Sequence, residues 1–120
     1  MKPQLCLGTA QLGLAYGITN ASGQVLEDVA ASLLLRADRA GVRWLDTAQA
    51  YGNAEEVLGR QLPSAHRFRL ISKLPAQSQR VFSAQDVEAW EQAFLDSCQH
   101  LGISQLNSFL LHAPSDLTKV

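Results

Sequence analysis

Apolar and polar positions in this chain follow two alternating rhythms. Leu5 to Gly8 is a short apolar run, and the stretch from Gly13 to Gly23 reads as a glycine-containing loop. From Glu27 to Ala40, the apolar positions Val29, Leu33, Ala37 and Ala40 recur at three- and four-residue steps. That spacing predicts one face of a helix, with Gly41 as its stop. Val42 to Asp46 reads as a strand ending on a carboxylate. Asn53 to Leu62 reads as a short helix with Asn53 placed to cap it and Pro63 just past its end. Phe68 to Lys73 is a third strand, ending on an ammonium. Ser83, with Asp86 three residues on, approximates a capping box for a longer helix. The apolar face of that helix is Val87, Trp90, Phe94, Cys98 and Leu101, and Gly102 stops it. Ser108 to His112 is a fourth strand, ending on an imidazole.

Strands alternating with helices imply a parallel sheet joined by right-handed crossovers, an α/β fold. Strands apolar throughout suit a sheet buried on both faces. An open α/β sheet and a barrel both fit this order. The last run, Ser115 to Val120, reads as the opening of a further helix.

Composition narrows the functional classes. Of 120 residues, 47% are hydrophobic and 18% charged, with a net charge of -1, which suits a globular domain and gives no basic stripe for a nucleic acid. No apolar run reaches the ~20 residues needed to span a bilayer. Met1-Lys2-Pro3-Gln4 leads straight into the first strand without a signal-peptide pattern, so the expected location is cytoplasmic. Cys6 and Cys98 are far apart and in no metal-ligand spacing, and both are expected to be buried thiols. No metal site and no nucleic-acid or membrane partner is expected. Trp44 and Trp90 are expected to pack in the core or at an interface. His66, His100, Arg67 and Arg69 are expected at the surface.

Three strands finish on an ionisable residue: Asp46, Lys73 and His112. In parallel α/β folds the carboxyl end of the sheet is where ligands bind. Tyr51, five residues after Asp46, can fold back over the same rim. A carboxylate can hold an ammonium in place, and an ammonium beside a phenol favours its ionised form. Such a phenol can give a proton to a carbonyl oxygen, and an imidazole can orient that oxygen.

The segment Leu45-Asp46-Thr47-Ala48-Gln49-Ala50-Tyr51-Gly52 resembles the aldo-keto reductase signature around its Asp and Tyr. Ile71-Ser72-Lys73-Leu74 resembles the strand carrying that family's Lys, and Leu110-Leu111-His112 the strand carrying its His. Leu7-Gly8-Thr9-Ala10-Gln11-Leu12-Gly13 is similar to the first barrel strand and its loop, and Glu55-Glu56-Val57-Leu58-Gly59 to the helix after the Tyr. Gly8-Thr9-Ala10-Gln11 with Tyr16-Gly17-Ile18 is similar to bacterial members among oxidoreductases of sugar or surface-polysaccharide metabolism.

The resemblance implies a (β/α)8 TIM barrel, of which residues 1–120 would be the N-terminal half, truncated after strand four, since a whole barrel takes about 250 residues. It implies Tyr51 as proton donor, Lys73 as the neighbour that eases its ionisation, Asp46 as partner of Lys73, and His112 as the group orienting the carbonyl. The family transfers a hydride, usually from NADPH, to an aldehyde or ketone. Gly8, Thr9, Ala10 and Asp46 would lie near that cofactor, whose other contacts come mostly from the absent second half. A small-molecule carbonyl is the implied substrate, and the Gln11 to Gly23 loop would shape its entrance. Two alternatives remain. One is a catalytically silent half-barrel that binds, regulates or self-associates through exposed sheet edges. The other is an aldolase using Lys73 as a Schiff base.

Overall fold

The computed structural model describes residues 3–119, so Met1, Lys2 and Val120 lie outside the described residues. Four parallel strands pair side by side in chain order: β1 (Cys6–Gly8), β2 (Trp44–Asp46), β3 (Arg69–Leu74) and β4 (Ser108–Leu111). Helices α1 (Ala10–Gly13), α2 (Glu27–Arg39), α3 (Ala54–Gln61) and α4 (Ala84–Leu101) lie between them, and a 3-10 turn, Pro114–Thr118, follows β4. That turn stands where a further helix was expected to open. α1 is a single turn that the hydrophobic pattern does not signal. No helix among the described residues is long and apolar enough to cross a membrane.

Registers are fixed by period-two alternation. Leu7 lies opposite Leu45, and Leu45 opposite Leu70, so these side chains share the face covered by helices. Leu34 of α2, Leu58 of α3 and Leu101 of α4 close over that face and are fully buried. Each contributes on the order of 1.5–3 kcal/mol through the apolar area it removes from water. The Ser83–Asp86 capping box forms at the start of α4, and Gly102 ends it with φ of 66°.

Several expectations are corrected. Among the described residues, the sheet is covered on one face only. In β3, Leu70, Ser72 and Leu74 are buried, whereas Arg69, Ile71 and Lys73 point to the other side and are not. Cys6 shares that open face and is exposed, while Cys98 is buried under α4. The first half of α2 is turned by one residue from the expected face: Ala30 and Leu34 are buried and Val29 and Leu33 exposed, while Ala37 packs against the core as expected. Both sets have helical spacing, so periodicity alone could not choose between them. The α4 face is buried only toward its C-terminus. Val87 is exposed, and Trp90 and Phe94 border an open groove with Leu74, Phe109 and Leu111. Asn53 precedes α3 but makes no side-chain cap; its Oδ1 accepts from Gln24 Nε2 at 2.8 Å instead. His66 is half-buried, its Nδ1 accepting the Phe68 N–H at 3.1 Å. On the open face, the Arg69 guanidinium lies over the Trp44 ring, 5.3 Å from its centroid.

The turn after β4 is anchored to the loop after β3. Buried Asp116 accepts from Lys119 Nζ at 2.7 Å and from the Gln77 N–H at 3.1 Å. The hydrogen bond from Lys119 is the larger cause of the lowering of the Asp116 carboxyl below its ordinary value, and the Gln77 N–H adds to it. A depressed folded pKa contributes stability that is complete above the unfolded value of about 3.9 and is lost as pH falls through the folded one. Acid unfolding should therefore show a loss below about pH 4 that is smaller in Asp116→Asn. Parallel acid limbs for the two proteins would contradict this anchor.

Candidate active site

Backbone hydrogen bonds that continue the strand ladders carry the four candidate residues to one rim. Asp46 ends β2, and its carbonyl accepts from both the N–H (3.0 Å) and the hydroxyl (2.9 Å) of Thr9 after β1. The Thr47 N–H donates to the Ile71 carbonyl at 2.9 Å, and the Gln49 N–H to the Lys73 carbonyl at 3.3 Å, so the loop after Asp46 runs along β3. The His112 N–H donates to the Leu74 carbonyl at 3.1 Å, one step beyond β4.

Asp46 faces Ile71 in register, which puts Lys73 on the same open face two residues further along. The Lys73 ammonium donates to both carboxylate oxygens of Asp46 at 2.8 Å and to the Thr47 carbonyl at 2.9 Å. Those three bonds use all three ammonium donors. Lys73 is 15% exposed and Asp46 31%, so water competes only in part for this pair. The same ammonium lies 5.1 Å from the centroid of the Tyr51 ring. The His112 ring meets that ring edge-on, 5.6 Å between centroids. Asp46, Tyr51, Lys73 and His112 thus form one cluster. His112 Nδ1 and Thr47 Oγ1 are buried without a hydrogen-bond partner among the described residues.

Tyr51 is held by a backbone contact of two glycines. A Cβ on Gly13 would overlap the Tyr51 carbonyl, and Gly52 packs on the Gly13 carbonyl with φ of 56°. The Tyr51 N–H donates to the Ala48 carbonyl at 3.1 Å, and its carbonyl accepts from the Ala54 N–H at 3.0 Å. Beside the cluster, Gly8, Thr9, Ala10, Gln11, Tyr16, Asp46 and Tyr51 line a cleft of about 280 Å³. An added Cβ on Gly8 would meet open space. The cleft's outer loop is tied down by Asn20, whose amide donates to the Tyr16 and Gly23 carbonyls at 2.9 and 3.0 Å.

A family model for the aldo/keto reductase family matches residues 4–120. The chain belongs to that family. Solved structures agree. An aldo-keto reductase of Pseudomonas aeruginosa shares 29% identity with a TM-score of 0.72, over 91% of this chain and 42% of its own. An aldo/keto reductase of Brucella melitensis shares 28% identity with a TM-score of 0.60, over 96% of this chain and 40% of its own. The fold alone is also similar to a holo-form aldo-keto reductase of Bacillus halodurans, with 20% identity and a TM-score of 0.70, over 97% and 39%. Among curated proteins no sequence matches significantly. The sheet is thus part of the (β/α)8 barrel of aldo-keto reductases, and the chain spans about two fifths of the length of these solved relatives.

In this aldo-keto reductase chain, sequence reasoning passed over a polar cluster on the covered face. Glu55 is buried among Ser72, Ser97 and His100. His100 is exposed as expected, but its ring engages Glu55 rather than water alone. The signal was a charged residue on the helix face that also carries Leu58, three positions on.

Gly13→Ala should wedge the Tyr51 segment away from α1 and destabilise the chain by about 1–3 kcal/mol, the usual range for overpacking. Urea unfolding measures this. A helical Gly→Ala change free of overlap would gain up to ~1 kcal/mol, so an unchanged or more stable variant would contradict the contact.

Proposed function

We propose that this chain supplies the proton-donating side of an NADP(H)-dependent oxidoreductase that reduces an aldehyde or ketone to an alcohol. The observation that carries the reading is the Lys73 ammonium, fixed by Asp46 and lying 5.1 Å from the centre of the Tyr51 ring. Tyr51 gives its phenolic proton to the carbonyl oxygen as charge develops there. Lys73 stabilises the negative charge left on the phenol, and Asp46 holds Lys73 in place. His112 Nδ1 is buried with no acceptor beside it among the described residues. The His112 ring, edge-on to Tyr51, is placed to donate a hydrogen bond to the same carbonyl oxygen and orient it.

The cleft beside Asp46 tests whether a nicotinamide cofactor fits. Gly8 opens it, because a side chain there would fill the free space. Its volume of about 280 Å³ suits the nicotinamide end of the dinucleotide rather than the whole molecule. Gly8, Thr9, Ala10 and Asp46 would hold that end. Thr9 contributes backbone and shape, since its hydroxyl is already bound to the Asp46 carbonyl. When bound, the cofactor supplies the hydride.

Two features favour a second reading, a catalytically silent chain that self-associates. β1 and β4 each pair on one side only among the described residues, and Leu110 on β4 is 47% exposed. The Schiff-base reading gains no support, because the Lys73 nitrogen is fully occupied as a hydrogen-bond donor.

An NADPH titration of the chain, followed by nucleotide fluorescence with the mass recorded alongside, separates the readings. Saturable binding is expected. A flat titration with masses above the monomer would instead favour the silent, self-associating module.

A further inference from the structure

On the helix-covered face, directly behind the Lys73–Asp46 pair, lies a charged group that the proton transfer does not use. Glu55 stands in the first turn of α3 and is 3% exposed. Burying a carboxylate is costly unless it is well hydrogen-bonded. Here Oε1 accepts from Ser72 Oγ at 2.5 Å and from Ser97 Oγ at 2.8 Å, and Oε2 faces His100 Nδ1 at 3.1 Å. Both serines are fully buried. Gln49 donates to Ser97 Oγ at 2.7 Å and to the Ala93 carbonyl at 2.5 Å. Glu56 Oε1 lies 3.8 Å from His100 Nε2, and Asp96 borders the same small cavity. Burial pushes the Cys98 thiol up from its ordinary value, and the Glu55 carboxylate adds to that.

The partners of this carboxylate come from particular places in the chain. Ser72 immediately precedes Lys73 on β3, and its side chain points to the opposite face. Glu55 lies four residues after Tyr51, whose carbonyl accepts from the first N–H of the same helix, that of Ala54. Gln49 belongs to the loop between Asp46 and Tyr51. One carboxylate therefore ties the strand carrying the ammonium to the helix that anchors the phenol, and through Ser97 to α4.

We propose that Glu55 is a positioning residue that sets the separation between Tyr51 and Lys73, an inference that rests on the proton-donor reading above. The Asp46–Lys73 pair fixes the ammonium from the open face. The Glu55 tether fixes the Tyr51 segment against the same strand from the covered face. Proton transfer is sensitive to this kind of support, since a displacement on the order of 1 Å can cost ~100-fold in rate.

The test is an NMR measurement on the chain with labelled tyrosine and lysine, alongside thermal unfolding. The parent should show a nuclear Overhauser contact between the Tyr51 ring and the Lys73 side chain. Glu55→Gln keeps an acceptor for both serines and should retain that contact. Glu55→Ala should lose it while the chain remains folded. Should Glu55→Ala fail to fold, Ser72→Ala removes the β3 leg alone and should weaken the same contact. A Tyr51–Lys73 contact unchanged in every folded variant, with only the unfolding midpoint lowered, would make Glu55 a stabilising residue and overturn the tether alone. A contact missing from the parent itself would overturn both the tether and the cluster it serves.

Discussion

An ammonium has three hydrogens to donate, and the placement of the Lys73 ammonium organises this structure's working face. Two of its bonds go to the Asp46 carboxylate and one to the Thr47 carbonyl. The acceptors are successive residues at the end of β2, so the pair fixes β2 against β3 where the strands stop and the loops begin. Asp46 and Lys73 meet at that point, and the other two candidate residues are brought to it. Tyr51 reaches back over the ammonium, and His112 arrives from β4 by one extra ladder bond. Without the charge pair, the open face would hold an unpaired carboxylate and an ammonium bound only to the Thr47 carbonyl, each only partly hydrated.

Side-chain charge alone would not hold the phenol there. Tyr51 sits on a loop, and loops keep a fixed geometry only where the backbone is held. The Gly13–Gly52 contact brings two backbones closer than any side chain would permit. Helix α3 starts on the Tyr51 carbonyl, which ties the Tyr51 backbone to the first turn of that helix. This division of labour is common in sites that need precise placement, with charges on rigid strands and an aromatic group on a braced loop.

Much of the fold was legible in the chain. Strand order, helix order, the Ser83–Asp86 capping box and the Gly102 stop all follow from local rules that tertiary structure did not override. The strand-terminal positions of Asp46, Lys73 and His112 could be read because a parallel sheet sends its strand ends to one side. What the pattern could not give is phase and cover. α2 is apolar at 29 and 33 as well as at 30 and 34, and only the position of the sheet decides which pair is buried. Cys6 looked like core because an apolar strand does not announce that one of its faces lacks a covering layer. Asn53 has the right type and place for a cap, yet Gln24, 29 residues earlier, holds its oxygen. Glu55 escaped notice for a similar reason: its partners come from two elements far along the chain, Ser72 from β3 and Ser97 with His100 from α4, and no local spacing links them to Glu55.

Our proposal that Tyr51 is the proton donor of a carbonyl reductase meets its sharpest test in NADPH oxidation with aldehyde and ketone substrates. Parent and Tyr51→Phe chains are compared at equal concentration. Carbonyl-dependent turnover should fall about 10²–10⁴-fold with the phenylalanine, the usual contribution of a general acid. Equal carbonyl-dependent turnover by the two proteins would contradict it.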